Sequence, residues 1–242
     1  MSQAPPVKSV ADPIGETTLR IMSEAARYNR WIGQLIQPYL GTRILEVETG
    51  IANMTQWLLP GKHVVATDPD PAYLAVLREA MRTHPNVVIR SLKLPKVAPD
   101  WATERLDTAV LLNILEHVEE DVESLENLGK ILAAPARVVI FVPAIPRLYG
   151  SLDRALGHYR RYSDQELRDK IQQAGLVLEH LRYCNFVGMF GWWFYSRVAR
   201  RKILPAFQVR IFDRLVPILA RLESRWDPVR GQSLLAVARR AD

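Results

Sequence analysis

A single cysteine, Cys184, stands in 242 residues. It excludes an intrachain disulfide and any cysteine-rich metal site, and it fits a reducing, cytoplasmic compartment. Long apolar runs are missing too, so no stretch reaches the length that a membrane span needs. The opening residues, MSQAPPVKSVADP, hold no apolar core and do not read as a secretory signal. There is no internal repeat and no nucleic-acid-binding motif, and the basic residues are dispersed among acidic ones. The positive excess is modest, 32 Lys and Arg against 26 Asp and Glu. That balance suits acidic partners or membrane surfaces without requiring them. With 48% hydrophobic and 24% charged residues, the composition is that of an ordinary globular protein. The length suffices for one large α/β domain with a full core.

Residues 1–14 are rich in Pro and Ala and are expected to be flexible; residues 15–242 read as one domain. Apolar positions from Thr17 to Tyr39 keep helical spacing and predict one helix, closed by Pro38 and Gly41. A short apolar run then ends in Glu46, and a small-residue turn with Thr49 and Gly50 leads into a helical segment. This is the order of a strand feeding a ligand-binding loop. A second strand, His63 to Thr67, stops at Asp68; Asp70 then suits an N-cap, with Pro71 at the first helical position. Further strands are expected near Asn86–Ser91, Leu106–Leu112 and Arg137–Val142, with helices between. Such alternation predicts a parallel, doubly wound sheet, whose ligand lies beyond the carboxyl ends of the strands. Val177–Tyr183 and Ser233–Arg239 read as two late strands, separated by a helical, aromatic and basic insert at 186–231.

Three stretches, ILEVETGIANMT, VVATDPD and LLNILEHVEED, together resemble the class I S-adenosylmethionine (SAM)-dependent methyltransferases over nearly the whole chain. FVPAIPRLYGSLDRALGHYRRYS is similar to a bacterial small-molecule subgroup of that family. The resemblance implies a Rossmann-like, seven-stranded sheet, mostly parallel, with an antiparallel strand in its last pair. It implies SAM as cofactor and S-adenosylhomocysteine as product. It places Glu46, Glu48, Thr49 and Gly50 by the methionine part, and Asp68 on the ribose hydroxyls. Pro69, Ser91 and Leu92 would lie by the adenine, and Asn113 by the methionine amine. The pattern departs from the family at Glu48 and Ala52, where glycine is usual, and at Ser91, where Asp is frequent. Glu48 aimed at the cofactor's carboxylate from about 4 Å would repel it by roughly 4 kcal/mol at an effective dielectric of about 20; aimed at the ammonium, it would attract by as much. These departures sustain a second reading: a methyltransferase-fold protein that no longer transfers methyl, acting as a binding protein or a repurposed cyclase or isomerase.

Methyl transfer needs an aligned nucleophile and, where that nucleophile carries a proton, a general base. His117 and His158 are the candidate bases, against the plainer readings of helix capping for His117 and a backbone-tied loop residue for His158. Tyr28, Trp31, Glu116, Tyr149, Arg161 and Tyr162 are the candidate substrate contacts, for a small-molecule acceptor. Arg160 and Arg161 are adjacent, so at least one of them is expected to be solvated or paired with Asp153 or Asp164. His117 and Glu120 have metal-ligand spacing on a helix, but no third ligand is evident and no metal is expected. The stretch 190–202 sets Trp192, Trp193, Phe194 and Tyr195 beside Arg197, Arg200, Arg201 and Lys202. It suits a lid or packing face, a homodimer interface, or contact with anionic lipid; the lid or packing reading is preferred.

Overall fold

The computed structural model describes residues 13–240. Most of the expected flexible N-terminus therefore lies outside the described residues. In chain order the helices and strands are α1 (Pro13–Ser23), α2 (Ala26–Ile36), β1 (Arg43–Glu46), α3 (Thr55–Leu58), β2 (His63–Thr67), α4 (Pro71–Ala80), β3 (Val87–Arg90), β4 (Thr108–Leu112), α5 (Asp121–Ile131), β5 (Arg137–Pro143), α6 (Ser151–Ala155), α7 (Asp164–Gln173), β6 (Leu176–Cys184), α8 (Phe186–Trp193), α9 (Ala206–Glu223) and β7 (Ser233–Arg240). A π-helical turn, Phe194–Val198, continues α8.

The strands form one seven-stranded sheet in the order β3-β2-β1-β4-β5-β7-β6. β1 to β5 run parallel, and β7 is antiparallel to both of its neighbours. The chain reverses its winding between β1 and β4, so a crevice opens beyond their carboxyl ends. Side chains alternate across the sheet as a period of two requires. Leu45, Ala109, Leu111, Val138 and Ile140 pack on one face with α5 and α7. Ile44, Val64, Val110, Val139 and Phe141 pack on the other with α2 and α9.

The single helix expected over 17–39 is two helices. The break falls at Ala25, whose φ of −83° and ψ of 60° are not helical. The reason is distant in sequence: the Asp213 carboxylate, from α9, accepts the N–H groups of Arg27 and Tyr28 at 2.8 and 2.9 Å. It satisfies the open donors at the start of α2 and favours that end of the helix dipole. Asp213→Ala is expected to lower stability by about 1–2 kcal/mol, on the scale of other cap losses, measured by urea unfolding. No change in midpoint would show that Asp213 does not carry the cap. Asp70, by contrast, caps α4 as expected, accepting from Ala72 N–H at 2.8 Å.

Candidate active site

The carboxyl ends of β1 and β2 bring three carboxyl groups together. Glu46 closes β1 and is buried, with Oε2 lacking any hydrogen-bond partner. Burial pushes its carboxyl up to about 7. Glu48 is half-buried in the loop that follows; burial first, and then the charge of Asp68, push it up to about 7. Asp68 ends β2, and burial pushes it up to about 6. Its Oδ2 accepts Gly50 N–H at 3.1 Å and its Oδ1 accepts Asp70 N–H at 2.9 Å. Each oxygen keeps a lone pair for a further donor. Thr49 stitches the loop to β2 through its N–H to the Thr67 carbonyl at 2.7 Å.

The loop keeps the backbone of a glycine loop without the glycines. Glu48 and Ala52 have φ of 50° and 66°, beside Gly50 at 62°. Side chains with a Cβ rarely adopt this left-handed region, and such strain clusters at binding sites. A Cβ on Gly50 would also meet Leu19 of α1 at 3.1 Å. α1 thus crosses over the loop, held there by Asn53 Nδ2 donating to the Leu19 carbonyl at 3.0 Å. Pro69 follows Asp68, and at the end of β3 Ser91 is exposed while Leu92 is buried. Asn113, past β4, has φ of 56° and ties its N–H to the Phe141 carbonyl at 2.7 Å.

Beyond β4 a second group forms. Leu115–His117 is a 3₁₀ turn, and His158 reaches it from the loop after α6. The His117 and His158 rings meet edge to face, with centroids 4.6 Å apart. Glu116 is wholly buried, and neither carboxyl oxygen has a partner. Burial pushes it up to about 8, so it holds a proton at neutral pH. Burial, with His158 alongside, pulls His117 down to about 3 and keeps it neutral. Glu116, His117 and His158 each offer a donor atom within 4.8 Å of the others. This trio, rather than His117 with Glu120, gathers three groups that could hold a divalent cation once Glu116 gives up its proton, or could serve proton transfer.

Asp153 organises the far wall. Its carboxylate takes His158 Nδ1 at 3.2 Å, Arg161 Nε at 2.6 Å, Gly150 N–H at 2.9 Å and Trp192 Nε1 at 3.1 Å. A carboxylate only accepts, so Nδ1 of His158 carries a hydrogen, and in the neutral imidazole Nε2 keeps its lone pair. Arg161 is wholly buried and donates Nη1 to the Ala144 carbonyl at 2.9 Å, while Nη2 has no partner. The Trp192 ring lies 4.6 Å from its guanidinium carbon. Tyr149 Oη donates to the His158 carbonyl at 2.7 Å and so positions that residue.

Three expected substrate contacts are corrected. Tyr162 is fully buried, and its hydroxyl is spent on Asp121 Oδ2 at 2.9 Å and the Leu115 carbonyl at 3.1 Å. Tyr28 and Trp31 are buried in the α2–α9 core, their rings 6.0 Å apart and Tyr28 5.8 Å from Phe212. Aromatic residues at helical spacing served packing here. Of the two adjacent arginines, Arg161 takes the expected partner, Asp153, and Arg160 pairs with Asp121. A separate cleft of about 410 Å³, lined by Arg43, Arg105 and Asp107, opens at the amino end of β1 and holds none of these groups.

No protein-family model matches the sequence, and no curated protein does. Solved structures do match. One is a chain of the complex between the Haloferax volcanii Trm112 methyltransferase activator and a methyltransferase: TM-score 0.64, 14% identity, 97% of this chain and 100% of that one. An S-adenosylmethionine-dependent methyltransferase from Mesorhizobium loti aligns at TM-score 0.57 and 17% identity, over 83% of this chain and 92% of that one. The [4+2]-cyclase SpnF aligns at TM-score 0.59 and 13% identity, over 88% and 80%. The fold is that of the class I methyltransferases. β1 lies inside the sheet between β2 and β4, and both groups described above stand at the carboxyl ends of its strands. The cyclase shows that the same architecture is also similar to that of an enzyme named for a different reaction.

Proposed function

We propose that this protein is a SAM-dependent methyltransferase acting on a hydroxyl of a small-molecule acceptor. The observation that carries the reading is the juxtaposition of two groups along one sheet edge. Three carboxyl groups with raised affinity for protons stand at β1 and β2, and the Glu116–His117–His158 trio, with Glu116 and His158 buried and both Glu116 oxygens unpartnered, stands beyond β4. Buried carboxyls that hold protons this tightly favour a cationic, donor-rich ligand in their place.

The residues present fit the cofactor. Asp68 would accept the two ribose hydroxyls with its spare lone pairs. Glu46 and the Gly50 loop would hold the methionine part, with Glu48 adding negative charge that favours a ligand bearing sulfonium and ammonium. Pro69, Ser91 and Leu92 would flank the adenine, and Asn113 would meet the methionine amine. SAM supplies, when bound, a methyl already activated on sulfur. The chain's own task is then to place the acceptor and take its proton. His158, fixed by Asp153, removes the hydroxyl proton at Nε2. Protonated Glu116 and Arg161 Nη2 donate to the acceptor oxygen and hold its lone pair in line. His117, neutral, packs on His158 and excludes water.

The test uses methyl-labelled SAM with fractionated small-molecule extracts. Label is expected to move to an acceptor, and His158→Gln is expected to slow it by about 10²–10⁴-fold with cofactor affinity unchanged. A protein that binds SAM but never passes on the label would favour a binding or cyclase role. Loss of activity in chelator, restored by a divalent cation, would replace the base reading of the trio with a metal reading.

A further inference from the structure

The last helical segments carry apolar side chains on a face that nothing among the described residues covers. α9 buries Val209, Val216 and the carboxylates of Asp213 and Glu223 against the body. On the opposite side Phe207, Ile211, Leu215, Ile218 and Leu222 follow one another at helical spacing and are exposed, Phe207 at 68% and Ile218 at 62%. α8 and its π-turn expose Phe190, Trp193, Phe194 and Val198. The two stretches join through rings: Phe186 stands 5.3 Å from both Phe190 and Trp226. Contiguous exposed apolar surface of this kind marks an interaction site.

Charge says what it meets. The two acids of α9 point inward: Asp213 onto the start of α2, and Glu223 onto the N–H groups of Asn185 and Phe186 at 2.9 and 2.8 Å. The bases stay outside. Arg214 and Arg221 border the α9 stripe, Arg210 beside them pairs with Glu24 at 2.8 Å, and Arg200, Arg201 and Lys202 follow the π-turn, all exposed. A second copy of this chain would set these basic rows against each other across a two-fold interface. An anionic bilayer complements them and takes the apolar stripe into its acyl boundary. Among the described residues no helix is long and apolar enough to cross a membrane, so the contact lies in the plane of the surface.

We propose that this face docks on anionic lipid and that the acceptor is itself lipid-anchored. The second clause rests on the proposed methyl transfer. The link is structural: α8 is fastened to the segment bearing His158, through Trp192 on Asp153 and Arg161. The turn after it is fastened likewise, through Arg197 Nη1 donating to the Tyr149 carbonyl at 2.9 Å and Ser151 Oγ donating to the Ser196 carbonyl at 2.9 Å. Docking would bring the trio to the membrane surface.

Co-sedimentation with vesicles of phosphatidylcholine alone, or with 30% phosphatidylglycerol as a roughly cytoplasmic-leaflet charge, decides the docking clause. Partitioning is expected to rise at least tenfold with the anionic lipid. It should fall at least tenfold in Trp193→Ser/Ile218→Ser, and likewise in Arg200→Glu/Lys202→Glu. S-adenosylhomocysteine affinity and unfolding midpoint should stay unchanged in both, which excludes misfolding. No partitioning, equal partitioning on both vesicles, or partitioning that the variants do not alter would overturn it. So would a dimer in light scattering that the variants split. For the acceptor clause, label from methyl-labelled SAM is expected in the organic phase of a lipid extract. Label confined to the aqueous phase would overturn that clause and leave methyl transfer standing. Label in neither phase would strike methyl transfer and the acceptor clause together, with docking still decided by the vesicles.

Discussion

Replacing Asp68 by alanine is expected to weaken binding of SAM and of S-adenosylhomocysteine at least a hundredfold. Hydrogen bonds to a charged acceptor are worth about 1.5–3 kcal/mol each, and the proposed pose has the ribose make two. Each 1.4 kcal/mol is tenfold, so about 3 kcal/mol gives the stated loss. The loop suffers as well, because Gly50 and Asp70 both donate to this carboxylate. Titration calorimetry measures the effect, and an affinity within threefold of the parent would remove Asp68 from the site. Acid should act in the same direction. Burial lifts Asp68 from 3.8 to about 6 and Glu46 from 4.5 to about 7. The folded protein therefore grips these protons more tightly than the unfolded chain does. The stability tied to these groups is full below their unfolded values and is lost as pH rises through about 6 to 7. A ligand that needs ionised Asp68 must displace its proton, so affinity should drop about tenfold per unit as pH falls below 6. The rise in unfolding temperature caused by S-adenosylhomocysteine should be large above pH 7 and shrink toward pH 5. A pH-independent shift would contradict the role given to Asp68.

The parts of this site legible in the sequence are those that topology fixes. An apolar run ending in an acid, as at Glu46 and Asp68, already says strand, then crevice, once helices are seen to alternate with strands. Glu48 and Ala52 stand where the family has glycine, and both hold the left-handed backbone that glycine would have taken. The neighbouring β1, β2 and α1 over-determine the turn, and residue type alone does not reveal that. What stayed hidden depends on contacts far apart in the chain. Asp213 splits the first helical stretch from 186 residues away. Arg161 and Tyr162 are adjacent, and nothing in RRYS says that the first side chain would turn to Asp153 while the second turns to Asp121 and Leu115. Strand-like alternation decides it, since Tyr162 bridges to Ala144 and turns the opposite way. Asp153 was visible only as a partner for one of two arginines, although four donors converge on it.

Asp153→Ala should therefore be the most destabilising single change at the site, by about 3–5 kcal/mol, the range for removing one partner of a buried ion pair. Arg161 has no exposed surface and would keep its charge with no carboxylate bonded to it. Gly150 N–H, Trp192 Nε1 and His158 Nδ1 would lose their acceptor at the same time. Glu116, close enough to Arg161 for its charge to be felt, offers partial relief if it gives up its proton. That compensation would remove the hydrogen-bond donor proposed for the acceptor oxygen, so activity should be lost beyond the stability effect. Burial raises the Asp153 carboxyl, but His158, Arg161 and Gly150 outweigh it and hold the group below its usual 3.8. Its contribution is present above the unfolded value and is lost as pH falls through the depressed one, so the difference between parent and variant should persist from pH 5 to 8. Urea unfolding at pH 7 measures it. Asp153→Ala/Arg161→Leu should recover much of the loss, because an apolar side chain leaves no stranded charge. A single-variant cost under about 1 kcal/mol, or a double variant no better than the single, would show that the buried pair does not hold this wall together.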